Sequence, residues 1–252
     1  VTVKPKDGSA FDIIFDAPLK INLLALQAGK TAILLDNVRV PKGAYNWIRL
    51  HVNAVRDGNL DTDLDSYIVL DDGSEHELSV PAGAQIGLQI INNIDIGSNA
   101  DVNLLIDFDL RQSIVALGNG DYVLSPVLRM VDMDKTGNLI GIIDAGLLTS
   151  NDCSDTDPLT GNAVYVFAGE NATPDDIDGG NDDPVATANV VFNIETGNYE
   201  YMVSYLETGD YTMAFTCQAD LDQPDSNQQN FIFSTTENVE VEKEEKMISA
   251  SR

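Results

Sequence analysis

Turn-forming residues recur so often along this chain that only short extended segments fit between them. Asp57-Gly58, Asp71-Asp-Gly-Ser and Gly97-Ser-Asn are three of these interruptions, and Gly, Asp, Asn and Ser are the residues that tight turns favour. The runs between the turns are rich in Val, Ile, Leu, Tyr and Phe, and none has the length and period of a long amphipathic helix. Short strands spaced in this way predict an all-β sandwich or barrel rather than alternating strands and helices.

One run, YNWIRLHVNAV, shows the strand period most clearly. Tyr45, Trp47 and Arg49 occupy alternate positions, and Ile48 and Leu50 lie between them. Successive side chains of a strand point to opposite faces, so the first three residues are expected on one face and the two aliphatic residues on the other. The run therefore predicts a half-buried antiparallel strand.

The length and composition of the chain are sufficient for two domains. It has 252 residues, of which 43% are hydrophobic, so each half can bury a core of its own. The polar stretch Asp132-Met-Asp-Lys-Thr-Gly-Asn separates two parts of different composition. We therefore predict two β-sandwich domains in tandem, at 1–132 and 139–252, joined by a linker at 133–138.

The chain is strongly acidic. It has 14 Lys and Arg against 41 Asp and Glu, a net charge of −27 at pH 7. Such a surface repels nucleic-acid phosphates and anionic lipid, so neither is expected as a partner. Divalent cations, a basic partner or a simply solvated acidic surface are all compatible with it. No run of about 18 apolar residues occurs, so no transmembrane segment is expected in the given chain.

The two cysteines, Cys153 and Cys217, bear on the compartment. An even count in an acidic β-type chain rich in Asn, Asp and Gly favours one disulfide, formed in an oxidising compartment. Two buried free thiols are the alternative. A disulfide would indicate an exported protein.

Three separated segments resemble one known family. They are INLLALQAG at 21–29, IDFDLRQSIV at 106–115 and LSPVLRMVD at 124–132. In this order they are similar to a bacterial cell-envelope domain, the domain of unknown function 4382, over most of residues 1–132. The resemblance implies a protein that is tethered or assembled at the bacterial envelope, as lipoproteins and fibre subunits are, with a structural or adhesive role.

The later part of the chain resembles a second family. Over 138–246 it is similar to the transthyretin-like, carboxypeptidase-regulatory-like sandwich, and Gly209, Tyr211 and Phe215 match that family's late G-x-Y-x-x-x-F strand. The resemblance implies an Ig-like or transthyretin-like sandwich for the second domain. Because such sandwiches accompany secreted enzymes, an accessory subunit of a secreted enzyme is one alternative role.

Acidic loops of the second part are candidate Ca²⁺ sites, because Ca²⁺ takes six to eight oxygen ligands. If Cys153 bonds Cys217, the acids near the two cysteines approach each other and form the first candidate set: Asp152, Asp155, Asp157, Asp220 and Asp222. The loop ENATPDDIDGGNDDP supplies the second set: Asp175, Asp176, Asp178, Asp182 and Asp183. A solvated acidic rim that binds no metal is the alternative to both, and no other cofactor is indicated.

The sequence contains no catalytic constellation. His51 and His76, the two histidines, lack a nucleophile motif such as G-x-S-x-G. Two histidines and two bonded cysteines supply no tetrahedral zinc set. We therefore predict that the protein is not an enzyme.

Aromatic residues in two of the predicted strands suggest a carbohydrate ligand. Tyr45, Trp47 and Tyr67 offer a platform on which a sugar ring could stack, so polysaccharide is a candidate ligand. Aromatic side chains on strands also pack in cores or across strands, and that alternative stays open.

The segment Val1-Thr-Val has the pattern of a strand entered part-way. By the first resemblance an earlier strand precedes it, so we expect a mature, trimmed or incompletely read chain whose signal or anchor segment lies outside the given residues. A sandwich that lacks a strand leaves backbone groups unpaired at that edge. Either the same chain completes the edge, or a neighbouring subunit donates a strand such as 237–252.

These features together predict an exported, extracellular or cell-surface protein with a structural or adhesive role and no enzymatic activity. The expected partners are further copies of the chain in a fibre built by strand donation, other envelope proteins, or polysaccharide. A Ca²⁺- or polysaccharide-binding surface module is the alternative function, beside the accessory-subunit role.

Overall fold

The computed structural model describes residues 1–63, 65–80, 87–97, 101–153, 157–223, 226 and 231–243. Two compact units divide the chain: Val1–Leu26 with Lys30–Met130, and Gln27–Gly29 with Val131–Arg252. The predicted all-β class is confirmed, because strands dominate both units and the α-helices among the described residues are two single turns. No helix in this part of the chain is long and apolar enough to cross a membrane.

Among the described residues of the first unit, ten strands and one helical turn begin. They are β1 (Thr2–Pro5), β2 (Phe11–Asp12), β3 (Gly43–Leu50), β4 (Tyr67–Val69), β5 (Glu75–Ser79), β6 (Leu88–Ile96), β7 (Leu104–Asp109), α1 (Leu110–Ser113), β8 (Ile114–Ala116), β9 (Tyr122–Leu124) and β10 (Val127–Asp132). A 3-10 turn spans Leu23–Leu26.

The described strands of the first unit form three sheets, with strand orders β2-β1-β3-β6, β7-β10 and β4-β5-β9-β8. β5 and β9 are parallel, whereas β1 with β2, β1 with β3, β3 with β6, β4 with β5 and β8 with β9 are antiparallel. Val3, Tyr45 and Ile90 of the first sheet share a core with Met130 of β10, and a second core centres on Leu78, Leu88 and Leu124. The strands are stabilised here by burying one apolar face of each sheet, as expected of antiparallel packing.

Strand β1 lies inside its sheet, paired on both sides. Thr2 is opposite Asp12 of β2 on one side and Arg49 of β3 on the other. The Val1 ammonium donates to the Ile13 carbonyl at 2.9 Å, and the Ile13 amide donates to the Val1 carbonyl at 2.8 Å. The edge considered for strand donation is therefore occupied by residues of this same chain.

A β-bulge changes which side chains of β3 share a face. The register shifts between Tyr45 and Trp47, and Tyr45 and Ile48 both pack into the first core. Tyr45 is only 2% exposed, and its hydroxyl donates to the Pro41 carbonyl. Trp47 therefore lies on the face opposite Tyr45, so the predicted alternation is wrong at Tyr45, because a bulge lets two residues oppose one.

The described part of the second unit contains seven strands and one helical turn. They are β11 (Thr136–Ile143), α2 (Ala145–Leu148), β12 (Ala163–Ala168), β13 (Ala186–Asn189), β14 (Val191–Asn193), β15 (Asn198–Glu207), β16 (Gly209–Thr216) and β17 (Thr235–Val241). 3-10 turns span Met133–Lys135 and Ala219–Leu221. The stretch proposed as a linker, 133–138, thus holds a turn and the first residues of β11.

Two sheets, β11-β15-β14 and β13-β12-β16-β17, face each other across the main core of this unit. Ile143 and Val203 come from the first sheet, and Val164, Phe215 and Val241 come from the second. This packing makes the second unit a β-sandwich.

Strand β12 is covered on both of its faces. Val164 and Val166 point into the sandwich core, whereas Ala163, Tyr165 and Phe167 pack in a smaller cluster on the other face. All five are at most 2% exposed. This explains why the sequence of β12 is apolar without interruption, since neither face needs polar residues.

The predicted disulfide is present in the second unit. Cys153 and Cys217 are bonded, with Cα atoms 5.3 Å apart. Cys217 directly follows β16 and is 3% exposed, and Cys153 packs against the same core from the loop after α2. The bond therefore ties that loop to the end of a central strand.

We expect loss of this bond to destabilise the second unit. Closing a loop with a sequence separation of 64 restricts the unfolded chain by about 4 kcal/mol. Urea unfolding should show this loss both for the reduced protein and for the double variant Cys153→Ala, Cys217→Ala. Alkylation of the unreduced protein followed by intact-mass measurement is the control, and two modified thiols would contradict the pairing.

Candidate functional site

Among the described residues, the acids of the first predicted set do not form a group of three or more that could hold a metal ion. Asp152 and Asp220 are exposed. Asp157 is exposed too, and its Oδ1 accepts from the Leu159 amide at 2.9 Å within its own turn. Asp155 lies outside the described residues. Asp222 bonds to Tyr165 and to the backbone of the acidic loop.

Asp222 joins the acidic loop at 170–184 instead. Its Oδ2 accepts from the Tyr165 hydroxyl at 2.6 Å, and its Oδ1 accepts from the Ile177 amide at 3.2 Å. The physical cause is burial of Ile177, which is 2% exposed in the cluster that covers the outer face of β12. The anchored Ile177 carries the loop backbone to the carboxylate.

Asp183 organises the glycine turn of the same loop. It accepts from the amides of Asp178, Gly179 and Gly180 at 3.1 to 3.2 Å. Asp178 Oδ1 accepts from the Gly180 amide as well, at 2.8 Å. These carboxylates act as the capping groups of a turn, a usual role of Asp near glycine.

The remaining acids of the loop are crowded. Burial raises the pKa of the Asp176 carboxyl, and the charges of Asp222 and Asp178 raise it further. Burial also raises the pKa of Asp175, with the charges of Asp182, Asp176 and Asp178 adding to the effect. Both causes disfavour the ionised form. The loop therefore concentrates negative charge that the fold only partly compensates.

These carboxylates do not form an evident metal centre. Within the described part of the chain, no group of three or more His, Cys, Asp or Glu side chains is arranged to hold a metal ion. Asp183 and Asp222 direct their oxygens at N–H and O–H donors of the protein. A cation would have to compete with these bonds for the same oxygens.

Each histidine contacts a hydroxyl group rather than a carboxylate. His51 Nε2 is 2.7 Å from Thr2 Oγ1, which itself donates to Asp12. His76 Nε2 is 3.0 Å from Ser74 Oγ, and its ring meets the Tyr122 ring edge-on. Acyl transfer requires a histidine that contacts a nucleophile on one side and an orienting carboxylate on the other. Neither histidine has both contacts among the described residues.

A shallow crevice of about 220 Å³ lies beside His76 in the first unit. Three of the charged groups that line it have partners within the protein. Arg56 pairs with Asp121, and Glu77 accepts from the Gly58 amide at 3.1 and 3.2 Å. Arg56, Asp121 and Glu77 are therefore engaged in contacts within the protein.

The three aromatic residues considered as a sugar platform are separated. Tyr45 lies in the core, Tyr67 is on β4 of another sheet beneath the Lys20 ammonium, and Trp47 alone lies on the outer face of β3. Arg49 stacks on the Trp47 ring, with 4.6 Å between the guanidinium carbon and the ring centroid. The prediction of a common aromatic platform is wrong, because the bulge in β3 places the Tyr45 side chain in the core.

We expect Asp176→Asn to stabilise the protein at pH 7. The raised pKa means that the charged form costs folding free energy above that pKa, and the cost disappears as pH falls through it. The advantage of the variant should therefore shrink as pH falls through the raised pKa, and it should be lost below about pH 4, where unfolded aspartate is also protonated. Thermal unfolding from pH 3 to 8 measures this, with the exposed Asp210→Asn as the control. A gain that is the same at all pH values would contradict the burial explanation.

Divalent cations should also raise the melting temperature, because the charge of −27 destabilises the compact state by self-repulsion. The measurement compares CaCl₂ with NaCl at matched ionic strength, in the natural protein and in Asp176→Asn. A larger gain with Ca²⁺ that the variant lacks would indicate a specific site at the 170–184 loop. Equal gains from both salts would mean that screening alone acts.

Comparison with known proteins identifies the first unit. The model of the domain of unknown function family 4382 matches residues 1–126. No curated protein matches the chain, and no solved structure matches it. The segments INLLALQAG and IDFDLRQSIV, which carry the resemblance in the sequence, lie within the match. With half of its length matched, the chain belongs to the domain of unknown function 4382 family.

Proposed function

We propose that this protein is a non-enzymatic, exported cell-surface protein with a structural or adhesive role. The observation that carries the proposal is the Cys153–Cys217 disulfide, which is built into the core of the second unit. Disulfides persist in oxidising compartments, so a bond at this position supports export. The resemblance of the first 132 residues to a bacterial cell-envelope domain implies the same location.

The absence of enzymatic activity is supported by what the polar groups do. His51 and His76 bond hydroxyls, Asp183 caps a turn, and Asp222 holds Tyr165 and the loop. These are structural tasks. Catalysis would need such groups to converge on a substrate-sized cleft.

Assembly into a fibre is part of the proposal, but the edge beside β1 is not the site at which a strand would be donated. Strand donation needs an acceptor edge, and the edge beside β1 is filled by β2 and β3. Strand β11 pairs with β15, and no other described strand pairs with its second side. Its side chains Ile140 and Ile142 are 63% and 62% exposed. An edge of this kind is where a strand of another copy would add.

A Ca²⁺-binding surface module is the second candidate function. The observation that favours it is the crowding of Asp175, Asp176 and Asp222, which a divalent cation would relieve. The salt comparison described above tests it.

Surface location predicts that intact producing cells expose the protein to a membrane-impermeant amine reagent. Lys20, Lys30 and Lys42 are exposed and should be labelled. The measurement is mass spectrometry of these lysines after labelling of whole cells and of lysed cells, with an abundant cytoplasmic protein as the control. Labelling that appears only after lysis would contradict the proposed location.

A further inference from the structure

The single tryptophan of the chain lies outside the hydrophobic cores of the described residues. Trp47 belongs to none of the four core clusters and is half-buried on the outer face of the β2-β1-β3-β6 sheet. Burying an indole is among the largest gains a core can make. A tryptophan kept on a sheet surface therefore points to contact with something other than the protein's own core.

The Arg49 side chain beside Trp47 is held in place by contacts within the protein. Arg49 stacks on the indole and its Nη2 donates to Gln89 Oε1 at 2.5 Å. The Arg49 Nε is buried without a hydrogen-bond partner in the described structure. The guanidinium is thus held in place by a ring and an amide, with hydrogen-bonding capacity unused.

The cross-strand neighbours extend this face. Lys4 and Ile91 lie opposite Trp47 on the two adjacent strands, and Ile91 is 79% exposed. The Thr2 hydroxyl lies between Asp12 and His51 at 2.5 and 2.7 Å. An apolar centre is therefore flanked by hydrogen-bond donors and acceptors on a nearly continuous sheet surface.

The cations of this face are not used in ion pairs. Lys4 Nζ donates to the carbonyls of Pro5 and Gly8. Among the described residues, no carboxylate lies within 4 Å of the Lys4 or Arg49 nitrogens, whereas Arg56, Arg129 and Lys135 each pair with an aspartate. Lys4 and Arg49 therefore supply positively charged donors, not neutralised by a carboxylate, on the same face as the half-buried indole.

We propose that the outer face of this sheet, centred on Trp47, Arg49 and Gln89, binds a neutral polysaccharide. Sugar rings present C–H groups that stack on an indole, and their hydroxyls both donate and accept hydrogen bonds. Arg49 and Lys4 supply donors, Asp12 an acceptor, and Gln89 both. Asp12 on the face and the net charge of −27 oppose an acidic polymer.

This inference gives the adhesive role a ligand class, and to that extent it rests on the proposed function. Its test uses purified protein and does not depend on location. Because Trp47 is the only tryptophan, its fluorescence reports on this face alone. Titration with soluble xyloglucan, mannan, laminarin and starch should shift or quench the emission saturably with at least one polymer, and alginate should have a weaker effect.

Variants separate the face from the rest of the surface. Trp47→Ala and Arg49→Met should each weaken retardation in affinity electrophoresis by about tenfold or more, since stacking and paired hydrogen bonds are lost. Arg56→Met, which removes a cation outside this face, is the matched control and should bind as the natural protein does. Circular dichroism and the melting temperature establish that each variant is folded.

Two results would overturn the proposal. One is the absence of any saturable response of Trp47 to all four neutral polymers. The other is binding that Trp47→Ala and Arg49→Met leave unchanged. Gln89→Ala, at an exposed position, gives an independent test should Trp47→Ala be unfolded. If no polysaccharide binds, the proposed surface location is unaffected. If the cell-labelling test contradicts the surface location, a measured glycan interaction remains valid.

Discussion

Burial of β12 on both faces is the constraint on which the second unit depends. One face closes the sandwich core through Val164 and Val166, and the other requires a cover, supplied around Tyr165 by Ile177 and Phe231. Fixing Ile177 fixes the acidic loop that contains it. The position of the carboxylates is therefore a consequence of apolar packing, since the hydrophobic gain exceeds the cost of bringing acids together.

That cost is visible in the direction of the pKa shifts. Asp176 and Asp175 are disfavoured as anions first by burial and then by neighbouring acids. Asp183 and Asp222, by contrast, receive N–H and O–H donors. Within one loop, some carboxylates stabilise the turn while others oppose it. The density of acids in the sequence cannot distinguish the two groups, because the distinction depends on which amide points at which oxygen.

The fold class and the disulfide could be predicted because they depend on local signals. Turn residues mark the strand ends, and an even cysteine count in this composition indicates a bond. The faces of β3 could not be predicted, since a single bulge after Tyr45 places Tyr45 and Trp47 on opposite faces of the strand. The partner of Asp222 could not be predicted either, because its bond to Tyr165 joins residues 57 positions apart.

The placement of the disulfide has a mechanical consequence. Because Cys153 and Cys217 are bonded, the chain between them cannot be drawn out when the ends of the second unit are pulled. At about 3.3 to 3.6 Å per extended residue, the withheld length is on the order of 200 Å. Strands β12 to β16 lie within this interval. Under tension, most of the sandwich would be shielded from the load, and the extensible part would be reduced to the segments that flank the bond.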